Sequence, residues 1–215
     1  MARLIDISLP VSNALPTWPG DPKVSLEREG KIEEGSAANV SRLNIGVHTG
    51  THIDAPLHFI PNDIGVDQLD LDRFVGPCQV IELAGEGRIT AAELEGADIA
   101  ADTERLLIKT GNSAWWQEQP LRFHTEFRAL DSSAARWVVT RGLKLVGVDY
   151  LSVEPFEAEE NHPTHGILLG ARVGVIEGLN LHAVNPGRYR LICLPLKLVN
   201  SDGAPARTVL EVLED

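Results

Sequence analysis

A chain of 215 residues, 43% hydrophobic and 23% charged, has the make-up of a folded globular protein, and that length hides roughly 70% of the unfolded surface on folding. Thirty-one acidic residues against 19 Lys plus Arg give a formal charge of -12, which repels phosphate backbones and anionic lipid, so neither nucleic acid nor a membrane surface is an expected partner. Two cysteines, Cys78 and Cys193, with no C-x-x-C pair exclude a disulfide scaffold and a thiolate zinc site, and their apolar neighbours predict buried reduced thiols.

The opening M-A-R-L-I-D-I-S lacks the apolar stretch of a signal peptide. No run reaches the roughly 18 apolar residues of a membrane helix. A cytoplasmic protein is the expectation. Residues 4–9 predict the first strand. Residues 9–38 hold four prolines, Trp18 and many charges, which predicts an ordered arm or long loop. Residues 40–47 alternate, with Leu43, Ile45 and Val47 on one face, as a half-buried strand would. Further strands are predicted over 79–83, 106–109, 144–148, 173–176 and 191–199, with Pro195 marking an edge or a bulge in the last.

Three helices are expected. Thr90-Ala91-Ala92-Glu93 is a capping box. Asp131-Ser132-Ser133 opens a second helix that Gly142 closes, and a third spans 164–169 before Gly170. Helix-then-strand units predict an α/β fold with a mixed sheet. No repeat or linker divides the chain, so residues 1–215 are expected to form one domain, with the Pro-rich arm within residues 1–38.

The informative segment is V-H-T-G-T-H-I-D-A-P-L-H-F over 47–59. It holds His48, His52 and His58, three of seven histidines within 11 positions, where uniform density would place well under one. His48, His52, Asp54 and His58 offer the imidazole and carboxylate donors that suit Zn²⁺, Mn²⁺, Fe²⁺ or Ni²⁺. Gly50 allows a tight turn, and Pro56 forbids continuing a helix through the segment, so this is not the helical H-E-x-x-H zinc motif. In an extended stretch the even offsets of the four residues direct them to one side. A single histidine is more readily an ordinary hydrogen-bonded residue; four such groups together point to a metal.

The string H-T-G-T-H-I-D-A-P-L-H-F resembles the signature of the cyclase-like metal hydrolases, which include bacterial kynurenine formamidase and isatin hydrolase. Supporting pieces are L-I-D-I-S-L-P, L-P-T-W-P-G-D-P, V-G-P-C-Q-V-I, G-V-D-Y-L-S-V-E-P and H-G-I-L-L-G-A-R-V-G-V-I-E-G-L. The resemblance implies a swivelling β/β/α arrangement, with a mixed sheet and flanking helices. It implies two divalent metal ions, zinc first and manganese second. His48, His52 and Asp54 would hold one ion; Asp54, His165 and Glu177 would hold the other. It further implies His58 as the proton-transfer residue, Trp18 as a substrate contact, and a homo-oligomer, either dimer or tetramer.

Read from the residues alone, the late ligands are less determined. Either His162 or His165 could face the site, and Glu177 is either a ligand or a solvent-facing strand end. Trp115, Trp116 and Phe123 either cover a pocket mouth or pack together. Asp149 and Tyr150 carry no assigned role, and His124 and His182 are expected to be structural or surface residues. With no G-x-S-x-G elbow and no P-loop, a serine hydrolase or a nucleotide enzyme is not expected.

The reaction implied is hydrolysis of an amide C–N bond on a small aromatic substrate, with N-formylkynurenine, cleaved to kynurenine and formate in tryptophan catabolism, first. The segment G-V-D-Y-L-S-V-E-P-F departs from dedicated kynurenine formamidases, which keeps a cyclic amide or lactone of the isatin type open. His52-x-Asp54 plus a distant histidine is also the donor set of a non-haem iron oxygenase. A metal-binding protein without activity is the third reading.

Overall fold

The computed structural model describes residues 3–157 and 162–213. The β-branched runs become β1 (Arg3–Asp6), β3 (Val40–Asn44), β5 (Val75–Glu82), β6 (Arg105–Lys109), β7 (Leu145–Val148), β8 (Gly174–Glu177) and β9 (Gly187–Pro195). Three more strands, β2 (Ser25–Gly30), β4 (His52–Asp54) and β10 (Gly203–Val212), were not legible as apolar runs. The helices are α1 (Ala91–Gly96), α2 (Ser132–Thr140) and α3 (Pro163–Gly170).

One mixed sheet runs in the order β1-β10-β4-β8-β7-β6-β5-β9, and β9 pairs back onto β10 to close it. Strands β5 to β8 are parallel neighbours, joined through α1, α2 and α3 in turn. This is the expected α/β arrangement of a mixed sheet with flanking helices. Period-two alternation divides its faces. Leu106 and Ile108 of β6 pack outward with Val146, Val175, Ala134, Val138 and Leu168 under the helices. Leu107 points inward with Ile53, Leu145, Ile176, Leu191 and Cys193. Both cysteines are buried and free, and burial pushes each thiol up to about 12. No described helix is long and apolar enough to cross a membrane.

The capping box forms as read. Glu93 N–H donates to Thr90 Oγ1 at 3.3 Å, and Thr90 N–H donates to a Glu93 oxygen at 3.1 Å. Thr90→Ala is expected to cost about 1 kcal/mol, which a thermal melt should register as a Tm lower by roughly 2–4 °C.

Two expectations need correction. Residues 40–47 do not form a half-buried strand: β3 ends at Asn44, pairs only with β2 in a two-stranded ribbon, and is exposed along its length. Alternation assigns side chains to faces, but no layer of the described residues covers either face here. The arm therefore contains a strand and not only loop, although Leu9, Leu15 and Val24 in it are buried. Pro195 does not mark an edge either. Strand β9 lies between β5 and β10, and Pro195 is its last residue, where a missing N–H ends the ladder instead of interrupting it.

Candidate metal centre

The alternation that sends Ile53 and Ile176 into the closed sheet sends His52, Asp54 and Glu177 to the opposite face. Strands β4 and β8 are antiparallel, with His52 opposite Glu177 and Asp54 opposite Val175. Two residues 125 positions apart in sequence thus become neighbours. Helix α3 lies against this face and brings His165 from its first turn. The approach to β4 is made by glycine. Gly50 turns at φ +66°, and Gly178, at φ +69°, lies so close that a Cβ there would sit 2.1 Å from the Gly50 carbonyl oxygen.

His52 Nδ1 donates to the Gly50 carbonyl at 2.9 Å. A carbonyl only accepts, so in neutral His52 the lone pair is on Nε2. That nitrogen lies 3.2 Å from Glu177 Oε2 and 3.5 Å from Asp54 Oδ1. His165 gives its Nδ1 to Glu154 at 2.8 Å and turns Nε2 toward Glu177 Oε1 at 3.2 Å and Asp54 Oδ2 at 3.7 Å. His48 spans two carboxylates, Asp54 from Nδ1 and Asp202 from Nε2, each at 2.8 Å. Each histidine therefore has one nitrogen held by an acceptor outside the cluster and one facing Asp54 or Glu177. That is how imidazoles are oriented for a cation.

His52 Nε2 and Asp54 Oδ2 are the buried side-chain atoms left without a hydrogen bond among the described residues. A lone pair facing two carboxylates is repelled unless a cation lies between them. The donor set therefore fits a divalent ion. Candidate ligand atoms fall into two overlapping groups, His48–Asp54–His58 and His52–Asp54–Glu177, with Asp54 in both. This differs from the division implied by the resemblance: the first group takes in His58, and neither includes His165, which reaches Glu177 Oε1 at 3.2 Å and Asp54 Oδ2 at 3.7 Å.

Electrostatics follow the same geometry. Burial alone would lower the His48 pKa, but the hydrogen bond and charge of Asp54, with Asp202, raise it to about 9. Burial likewise opposes the rise of His165 to about 10, which Glu154 and Glu177 produce. Asp54 is held below the ordinary carboxylate range against its burial by His48, His52 and His58. His58 moves the other way: burial lowers it, and positive His48 and His165 lower it further against the pull of Asp54 and Glu177.

His58 stacks on His48 with ring centroids 3.9 Å apart, and its Nδ1 lies 3.7 Å from Asp202 Oδ2, beyond hydrogen-bond reach. It is half-buried at the edge of a cavity of about 330 Å³ lined also by Trp18, Phe59, His162, His165 and Glu177. Trp18 forms one wall and is braced edge-on by Phe123, with centroids 5.4 Å apart. A larger cavity of about 800 Å³, bounded by Trp115 and Phe127, contains none of the clustered histidines.

His165 and not His162 faces the carboxylates; His162 is exposed, with Nδ1 3.4 Å from Glu154. Trp116 stacks on Tyr150, Trp115 on His124, and Phe123 meets Trp18 edge-on, so these aromatics form a packing cluster, of which Trp115 also bounds the larger cavity. Buried Asp149 accepts from the Thr110 and Ser113 backbones and hydroxyls, which makes it a structural anchor. His182 is exposed. Glu154 and Asp202 were missed. Glu154 lies within G-V-D-Y-L-S-V-E-P, where nothing local marks it, and Asp202 lies in a short N-S-D-G stretch with no distinguishing signal.

Fold and site together define an α/β protein with a buried imidazole–carboxylate centre suited to divalent cations. Residues 5–155 match the family model described as "Putative cyclase", and the chain belongs to that family. A structure described as a "potential metal-dependent hydrolase with cyclase activity" is 36% identical, with TM-score 0.84 and 100% of both chains covered. A second, described as a "predicted metal-dependent hydrolase" from Bacillus stearothermophilus, is 36% identical at TM-score 0.82 over 98% of both chains. Isatin hydrolase A from Labrenzia aggregata, bound to benzyl benzoate, shares the fold at 23% identity and TM-score 0.82, covering 99% of this chain and 94% of its own.

Proposed function

We propose that the protein is a metal-dependent hydrolase that opens an amide C–N bond on a small aromatic substrate, with N-formylkynurenine first and a cyclic amide or lactone of the isatin type second. The observation that carries this reading is the convergence of His48, His52 and His165 on the buried carboxylates Asp54 and Glu177, with His48, His165 and Glu177 lining a cavity of about 330 Å³ beside an unanchored His58. Similar structures described as metal-dependent hydrolases and isatin hydrolases support it.

His48, His52, Asp54, His165 and Glu177 would hold two divalent ions, zinc first and manganese second. Bound there, such ions supply Lewis acidity, polarising a carbonyl and easing deprotonation of water. His58 supplies what amide cleavage still needs. Its lowered pKa leaves the imidazole neutral near pH 7, able to take the proton of an attacking water. The same nitrogen then returns that proton to the leaving nitrogen, which would otherwise depart as a poor anionic leaving group. Trp18 and Phe59 offer flat apolar walls for an aromatic ring.

The oxygenase reading has less support, because His48, His58 and Glu177 extend the donor set beyond His52, Asp54 and one distant histidine. Metal-reconstituted protein is expected to hydrolyse at least one of N-formylkynurenine, isatin and a panel of lactones. Failure on all of them would remove the reading; oxygen-dependent turnover with one iron per chain would replace it. A homo-oligomer is part of the same proposal. The β2–β3 ribbon exposes Leu26 and Leu43 as a cross-strand pair on one face, an apolar surface a second copy could cover. A monomer by light scattering would defeat that part.

A further inference from the structure

Glu154 lies in the loop after β7, only 2% exposed, with both carboxylate oxygens engaged. One oxygen accepts the backbone N–H of Thr164 at 3.0 Å, and the other accepts from His165 Nδ1 at 2.8 Å. Thr164 is the second residue of α3, so its N–H is one of the donors a helix start leaves unpaired. His162 Nδ1 approaches the second oxygen at 3.4 Å from an exposed position. Two donors on two different oxygens make a demand that only a carboxylate meets, since both of its ends accept.

We propose that Glu154 is a positioning residue that dictates which nitrogen of His165 is available to an ion. An acceptor at Nδ1 obliges that nitrogen to carry the hydrogen. In the neutral ring that an ion requires, the lone pair is then left to Nε2, the atom facing Glu177 and Asp54. Glu154 acts through His165 and does not itself face those two carboxylates. Because the same residue ties down the start of α3, it couples the placement of His165 to its protonation pattern. The inference rests on the metal-centre reading above.

The isosteric amide should therefore be worse than no side chain. In Glu154→Gln the amide oxygen can serve Thr164 N–H, but its NH₂ then faces His165 Nδ1 and drives the hydrogen to Nε2, where the ion would bind. The reverse placement sets NH₂ against an N–H. In Glu154→Ala neither demand exists, and water can accept from Nδ1. The test is zinc titration of chelator-stripped wild-type, Glu154→Gln and Glu154→Ala proteins by native mass spectrometry, which reads metal only on compact species. Glu154→Gln is expected to weaken the ion held by His165 by roughly 10–100-fold, and Glu154→Ala by less.

Wild-type affinity in Glu154→Gln, or a greater loss in Glu154→Ala, would overturn the proposal while leaving the metal centre in place. Absence of zinc on the wild type would remove the centre itself, and this proposal with it. Should Glu154→Ala not fold, NMR of zinc-loaded, ¹⁵N-histidine-labelled protein decides. The His165 Nδ1 proton is expected in the wild type and absent in Glu154→Gln, and its persistence there would overturn the proposal.

Discussion

Asp54→Asn is expected to empty the centre. Asp54 is 1% exposed on β4, belongs to both candidate ligand groups, and is the charge on which His48, His52 and His165 converge. Asparagine keeps the shape and removes the charge. It also turns one end into a donor facing imidazoles or an ion. Removing one partner of a buried ionic group costs about 3–5 kcal/mol, a factor of roughly 10²–10⁴ in the equilibrium concerned. Dialysed Asp54→Asn protein should therefore carry little metal by elemental analysis, and turnover should fall with it. Wild-type metal content in that variant would mean that the ion is held elsewhere.

His58→Ala should separate chemistry from binding. The other three clustered histidines are each fixed by an outside acceptor: Gly50 carbonyl, Glu154 or Asp202. His58 has none of these anchors and lies against His48 on the cavity side. A proton carrier needs that freedom, whereas a ligand needs orientation. Loss of a positioned acid–base group typically costs 10²–10⁴-fold in rate. The expected result is a kcat reduced by about that factor with metal content near wild type. Loss of metal in His58→Ala would instead make it a ligand, a role its place in the His48–Asp54 group also allows.

How much of this was legible in the sequence depends on how local the information was. The 47–59 string announces its chemistry because four donors crowd around a glycine turn, but strand alternation carries only His52 and Asp54 to one face: His48 lies in the turn before β4, and His58 ends a 3-10 turn over Pro56–His58, so the extended run expected across all four does not form. The capping box and the Asp131 cap lie within a few residues and form as read. Glu177 was weaker because its neighbour His52 is set by the antiparallel register of β4 and β8, a long-range fact. Strand β4 itself is three residues, two of them ionisable, so it showed no apolar run. Strand β10 begins Gly-Ala-Pro and was hidden for the same reason. Glu154 and Asp202 are single carboxylates in loops, and only the folded chain shows which imidazole each one holds. The β3 ribbon shows the converse: clear alternation with none of the described residues laid over it.

The most direct measurement is anomalous diffraction from crystals soaked in zinc or manganese. Two peaks sharing Asp54 are expected, one against His48 and His52 and the other against His165 and Glu177, with ligand atoms at about 2.0–2.2 Å. Peaks away from Asp54, or no ion among these side chains at saturating metal, would contradict the account.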